Sequence, residues 1–367
     1  MTIRITTGAL VLLTFGGPDA GTPAHRERDT IRLVARLRVA RAAATATTIA
    51  GDRVLIAGGM AEGGAAVRSY EVFGARSNTV VTVGDMGEQR VGHTATFLPD
   101  GRVLVIGGYN GAYLKSAEIF DPRLGRFAPA GTMREGRSGH TATLLRDGTV
   151  LVAGGIGDGW TFLSSSILYD PRTARFTPAG PMGSARESHT ATLLLDGRVL
   201  VTGGHRGRRE RIIVYASTEI FEPARGRFVA GPTLGTMRHK HDAVALADGR
   251  VLIMGGSDPR DRTRSATTEI YDPSSNAITA GPAMRLARYK FRDTALRLRD
   301  GRILVGGGGR YAEVFDPKAN AFSTVNGDLG RDYAFASSTL LSNGEALVVG
   351  GYDDSMRNSS GIWRFHE

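Results

Sequence analysis

Four short stretches carry most of the chemistry in this sequence. Arg186 is followed by Glu187 and Ser188, Arg238 by His239 and Lys240, Arg288 by Tyr289 and Lys290, and Arg331 by Asp332 and Tyr333. Carboxylate, imidazole, ammonium and phenol groups at one locus suit either general acid–base catalysis or capture of a polar ligand. The matching pairs earlier in the chain, Val91-Gly92 and Ser138-Gly139, are chemically bland. The arginines continue upstream at Arg41, Arg90 and Arg137. A guanidinium fork suits a carboxylate, so these residues either meet an acidic partner or pair internally with the recurring Glu71, Glu118, Glu219, Glu269 and Glu313.

His93, His140, His189 and His241 raise the possibility of a metal. They lie 47 to 52 residues apart, one to each repeated unit. Hydrogen bonding within each unit is therefore expected, and neither a metal nor a cofactor is. Two arginine-rich stretches add Arg206, Arg208, Arg209 and Arg211, then Arg260, Arg262 and Arg264, with Tyr113 and Trp160 at corresponding places in earlier units. Basic loops with aromatics suit an anionic glycan or nucleic acid, or are simply a solvated surface. No nucleic-acid module is recognisable, so nucleic acid is not the expected partner.

The elements that hold these residues are repeats. RVGHTATFLPDGRVLVIGG at 90–108 recurs as RSGHTATLLRDGTVLVAGG at 137–155 and as RESHTATLLLDGRVLVTGG at 186–204. A drifted copy occupies 238–256, and weaker ones start at Arg41, Arg288 and Arg331. Each unit reads as a short strand, an Asp-Gly hairpin and a second strand ending in diglycine. A variable loop follows, then a third strand ending in an aromatic-acid-Pro corner such as Phe120-Asp121-Pro122, and a fourth strand opening with Phe127 or its counterpart. Proline cannot donate to a strand ladder, so it ends the third strand. Four antiparallel strands in a unit of this length make one propeller blade. In such a blade the diglycine loops and the arginine-led turns share one face, the loop face. The Asp-Gly hairpins and Asp-Pro corners share the other, the hairpin face.

The diglycine, the two aromatics and the period resemble the kelch repeat over about 41–367, close to the bacterial kelch arrays and the central propeller of the galactose-oxidase type. The resemblance implies an all-β, seven-bladed kelch-type β-propeller closed by an N-terminal strand. It also implies that the repeat arginines bind acidic side chains, as they do in kelch adaptor domains. The copper-radical chemistry of the oxidases is not carried over. It requires a cysteine-linked tyrosine and a Tyr-His pair, and this sequence has no cysteine and no Tyr-His dipeptide.

The last unit stops at its third strand, while Ile31 lies ten residues before Arg41, the spacing of a fourth-strand residue from the next arginine. The N-terminal segment is therefore expected to complete the last blade. Residues 25–367 form one propeller. Residues 1–24 carry Arg4, an apolar run from Ala9 to Phe15 and a small-residue site at Thr22-Pro23-Ala24, which resembles a signal peptide, with a disordered N-terminus or a β-hairpin as alternatives. Export to the periplasm or the medium follows from the first reading and a cytoplasmic address from the others. No later apolar run is long enough to span a membrane. The net charge of +10 favours acidic partners. Two functions stay open. One is a monomeric, non-catalytic propeller binding an acidic peptide, protein or glycan. The other is an enzyme of mutarotase or epimerase type acting on a small anionic sugar. The candidate binding residues are Arg186, Glu187, Arg238, His239, Lys240, Arg288, Tyr289, Lys290, Arg331, Asp332 and Tyr333.

Overall fold

Each Asp-Gly pair turns because the glycine takes a positive φ, +86° at Gly101 and +85° at Gly148, a conformation costly for residues with a Cβ. The preceding aspartate caps the turn: Asp147 Oδ1 accepts the Thr149 N–H at 2.9 Å and Asp196 Oδ1 the Arg198 N–H at 2.9 Å. The Asp-Pro corners use the same device, with Asp121 Oδ1 accepting the Arg123 N–H at 2.8 Å. In blades two, three, four and six the aromatic before the corner meets the aromatic opening the fourth strand, whereas in blade five Tyr271 meets Ile278. Ring centroids lie 5.1 Å apart for Phe120 and Phe127, 4.8 Å for Tyr169 and Phe176, and 5.0 Å for Phe315 and Phe322.

These local rules build seven four-stranded antiparallel sheets in the computed structural model, which describes residues 29–367. Blade two is typical, with strands Thr94–Phe97, Val103–Ile106, Ser116–Asp121 and Arg126–Thr132 in that order. First strands of neighbouring blades touch all round the axis, and Ser337–Leu340 of blade seven meets Thr45–Ile49 of blade one. Second strands such as Val103–Ile106 and Val150–Ala153 are completely buried between blades, which explains their unbroken apolar runs.

The diglycines join one blade to the next. The second glycine donates its N–H to the carbonyl of the residue that leads the following blade: Gly108 to Arg137, Gly155 to Arg186 and Gly204 to Arg238, at 2.7–2.8 Å. A Cβ on Gly154 would sit 2.6 Å from the Arg186 carbonyl oxygen, so no other residue fits there.

Thr30–Arg36 is the outermost strand of blade seven, antiparallel to Gly361–His366, with Ile31 opposite Phe365. Ile31 shares a buried cluster with Trp363 and Phe365, and Asp29 pairs with Arg302 of blade six. The expected leader at 1–24 lies outside the described residues. Deleting residues 29–36 should lower the melting temperature and produce aggregates in light scattering, because it bares the backbone edge of Gly361–His366. Unchanged melting and a monodisperse sample would contradict this role for the strand.

Candidate functional site

The leading arginines point inward. Arg41, Arg90, Arg137, Arg186, Arg238 and Arg288 are at most 1% exposed. Arg186 shows the pattern: Nη1 donates to the Gly203 and Ser217 carbonyls at 2.7 and 3.1 Å, and Nη2 to Glu219 Oε1 at 2.8 Å. Glu219 in turn accepts the N–H groups of Gly183 and Ser184 at 2.6 and 3.2 Å. Arg238–Glu269 and Arg288–Glu313 repeat the pairing at 3.0 Å each. This corrects the expectation that Arg186, Arg238 and Arg288 face a ligand. Their planar forks hold each blade to its own connecting turn. In blade three Ile167 takes the glutamate's place, and the one carboxylate paired with Arg137 among the described residues is the half-exposed Glu135 at 3.6 Å. Burial pushes the Arg137 guanidinium down to about 10, and Glu135 offsets this only in part.

Blade seven differs from the sequence reading. Gly308 donates to the Tyr333 carbonyl at 3.0 Å, as the other diglycines do to their arginines, so Tyr333 and not Arg331 leads this blade. The Tyr333 ring packs on Trp363 at 5.3 Å, an aromatic pair in place of the Arg–Glu tie. Arg331 is exposed and pairs with Asp353 at 3.3 Å, while Asp332 accepts from Arg264 at 3.2 Å. The pair equivalent to Tyr289-Lys290 is therefore Ala334-Phe335. The last interval misleads because the sequence happens to place an arginine two residues before the true register.

Two residues after each leading residue, the chain takes a left-handed conformation. Ser188, Lys240, Lys290 and Phe335 have φ between 51° and 54°, alongside Ala43 and the glycines Gly92 and Gly139. These residues form a ring of interblade bonds around the axis: Lys240 N to Ser188 O at 3.1 Å, Lys290 N to Lys240 O at 2.8 Å, Phe335 N to Lys290 O at 2.6 Å and Ala43 N to Phe335 O at 2.8 Å. The backbone strain costs about 1–2 kcal/mol for each residue with a Cβ, which one hydrogen bond of about 1 kcal/mol offsets in part. The ring carries Lys240 and Lys290 on one side and glycines on the other, so the asymmetry expected from the sequence is real in space.

Around Lys240 the polar residues form a chain of contacts. Glu187 Oε1 lies 3.3 Å from His205 Nε2, and His205 Nδ1 lies 3.2 Å from His239 Nδ1. His239 Nε2 reaches Asp261 Oδ1 at 3.2 Å, and Lys240 Nζ pairs with Asp261 Oδ2. Burial pushes the Glu187 carboxyl up. Burial, reinforced by the charges of His239 and Lys240, lowers His205 to about 3. Partial burial alone would raise Asp261, but the bonds from His239 and Lys240 hold it well below the usual carboxylate range. His205 and Asp261 come from variable loops, where the repeat offers no register to predict them. Next to this chain, Lys290 Nζ meets Tyr352 Oη at 3.1 Å and lies 4.8 Å from the centre of the Tyr289 ring.

The repeat histidines do not converge. His93, His140 and His189 each bond the threonine that opens the preceding blade, through Thr45, Thr94 and Thr141 at 3.1–3.2 Å, and His241 bonds both Thr202 and Thr190 at 2.8 and 3.3 Å. Two concavities of about 410 and 770 Å³ open on the hairpin face, among residues such as Asp147, Asp196 and Pro223, and Asp248, Asp300 and Pro317. None of the candidate binding residues lines either one.

The Kelch motif family profile matches residues 90–134, which make up blade two. The structure repeats that blade around the axis. The chain is a kelch-repeat β-propeller. Among solved structures, the kelch propeller is similar to a fungal alcohol oxidase of the AA5 family in complex with copper, with a TM-score of 0.72, 15% identity, and coverage of 93% of this chain and 76% of that one. At that identity the likeness is one of fold. No curated protein matches the sequence. The residues do not fit a copper-radical centre, since with no cysteine the cross-linked tyrosine cannot form. Among the described residues no group of three or more His, Asp or Glu side chains is arranged to hold a metal ion.

The buried histidines make stability depend on pH. Burial, then the neighbouring Arg90, lowers His93 to about 3, and burial lowers His140, His189 and His241 as well. An unfolded histidine titrates near 6.5, so below that pH the unfolded chain binds more protons and stability falls, by up to about 1.4 kcal/mol per pH unit for each histidine. Asp242, raised to about 7 by burial and by Asp293, acts in the opposite sense between about 4 and 7, and Glu187, also raised by burial, acts with it, but these are two groups against five histidines once His205 is included. The melting temperature should therefore drop between pH 7 and pH 5. A flat or rising profile in thermal unfolding would contradict the buried, neutral histidines.

Proposed function

We propose that this propeller is a non-catalytic binding module that takes an acidic peptide, protein or glycan on its loop face. The observation that carries the reading is the exposed cationic surface on the neighbouring loops of blades four and five. Arg206, Arg208, Arg211, Arg260 and Arg262 are all exposed there. The carboxylate nearest them in an ion pair is Glu210, 4.0 Å from Arg260 and itself 89% exposed. Unlike the leading arginines, these guanidinium groups remain available to a partner. Arg208 lies over the Trp160 ring at 3.3 Å, and Trp160 meets Tyr113 edge-on at 6.1 Å, so the cationic surface runs into an aromatic strip. Lys290 extends the positive side toward the axis, while Lys240 is paired with Asp261.

The acid–base alternative has less support. Glu187, His205, His239 and Asp261 are engaged with one another, and His239 is 1% exposed. A sugar-converting site would need at least one of them turned toward an open space.

The test is retention on a sulfated glycan column and on immobilised polyglutamate at two salt concentrations. Exposed ionic contacts weaken with salt, so retention of the wild type should fall at the higher concentration. The quadruple variant Arg206→Ala, Arg208→Ala, Arg260→Ala, Arg262→Ala should lose most of it at either. Retention that survives all four substitutions would place the binding surface elsewhere.

A further inference from the structure

Blade six departs from the repeat at one point. In blade five, Asp242 opens the first strand two residues after the ring residue Lys240, opposite Met254. In blade six the corresponding residue, Thr294, whose carbonyl accepts the Gly306 N–H at 3.2 Å, comes four residues after Lys290. Two residues, Arg292 and Asp293, are therefore inserted where the chain descends from the ring along the axis. Asp293 has a φ of 62°, so the extra length forms a bulge and does not extend the strand.

Asp242 holds the bulge in place. Its two carboxylate oxygens accept the N–H groups of Asp293, Thr294 and Ala295 at 3.2, 2.9 and 2.9 Å. In blades two to four this position is threonine: Thr94, Thr141 and Thr190 bond the repeat histidine of the following blade. Blade six has Phe291 in place of that histidine. The aspartate, the lost histidine and the inserted pair are thus one coordinated change.

The change carries Arg292 across the axis. Its Nη1 donates to the His140 carbonyl of blade three at 3.2 Å, and its charge acts on the rings of His93, His140, His189 and His241. The side chain is 21% exposed, and its one ion pair among the described residues is with Asp293, which is 82% exposed, at 3.3 Å through Nε. Nη2 has no hydrogen-bond partner among the described residues. Lys290, one step nearer the loop face, has no carboxylate within ion-pair distance among the described residues, its ammonium resting against Tyr352 and Tyr289. A mostly buried guanidinium that engages the exposed Asp293 only through Nε, with Nη2 spare and a second cation nearby, has the donors to take a further anion.

We propose that Arg292, seated in the axial channel by Asp242, is the binding site for a small oxyanion, a carboxylate or a sulfate- or phosphate-type group, entering from the loop face past Lys290. It supplies the point where the acidic group of the proposed partner inserts. It rests on that reading for the partner's identity but not for the ion itself.

The probe is sulfate, which does not titrate over the range used, compared with sodium chloride at equal ionic strength. The wild type should show saturable binding of low-millimolar sulfate by calorimetry, with a matching rise in melting temperature beyond that given by chloride. Arg292→Gln should weaken binding at least tenfold, the loss expected for a charge-assisted contact. Asp242→Asn should weaken it as well, by loosening the bulge, and Lys290→Gln should have a smaller effect. Arg292→Lys covers the case in which the glutamine variant does not fold: it keeps the charge but not the fork, and its affinity should also fall. No sulfate binding beyond chloride in the wild type, or equal binding in the wild type and the folded Arg292 variants, would overturn the proposal. The quadruple loop variant should keep full sulfate binding. If it does while retaining the acidic column ligands, the loop-surface reading fails and the channel site stands.

Discussion

The fold depends on a guanidinium withdrawn from water and bonded to its own blade. Each of these arginines satisfies the carbonyl that the diglycine leaves free, and five of the six also meet a buried glutamate that caps the turn before them. Desolvating two charges costs several kcal/mol per ion, and only dense hydrogen bonding makes such a pair tolerable. The pair therefore specifies geometry more than it adds stability. It fixes where the turn sits, and the turn presents the left-handed residue to the next blade.

The departures from this arrangement tell more about function than its repetition does. Blade three lacks the glutamate, blade seven replaces the pair with Tyr333 on Trp363, and blade six sends Arg292 to the His140 carbonyl of blade three. Lys240 and Lys290 stand on neighbouring blades of the ring, next to the bulge and opposite the glycines. The scaffold is near-symmetric, while charge is concentrated on one side, where the basic loops of blades four and five also lie.

Much of the architecture was legible in the sequence because the repeat supplies its own alignment. The strand order, the turns, the blade count and the pairing of Ile31 with the last strand all follow from residues that recur for steric reasons. The candidate site was legible only in part. Arginine type alone does not distinguish a ligand contact from a buried tie; the recurring glutamate made the tie one of two readings, and burial of the arginines against those glutamates decided it. Arg331 was misread because spacing was followed where the glycine-to-carbonyl bond sets the register. Arg292 was missed because a two-residue insertion is invisible without strand pairing, although the replacement of histidine by Phe291 marked the place. His205 and Asp261 sit in loops without repeat constraint, and nothing in the sequence tied them to His239.

The most direct test of this account is a double-mutant cycle on Arg238 and Glu269, using Arg238→Met and Glu269→Leu in thermal and denaturant unfolding. Removing either partner alone leaves a buried charge and should cost about 3–5 kcal/mol, whereas removing both should cost far less than the sum. Additive losses, or an Arg238→Met variant of unchanged stability that no longer binds an acidic partner, would contradict an internal tie and return the arginines to the ligand surface.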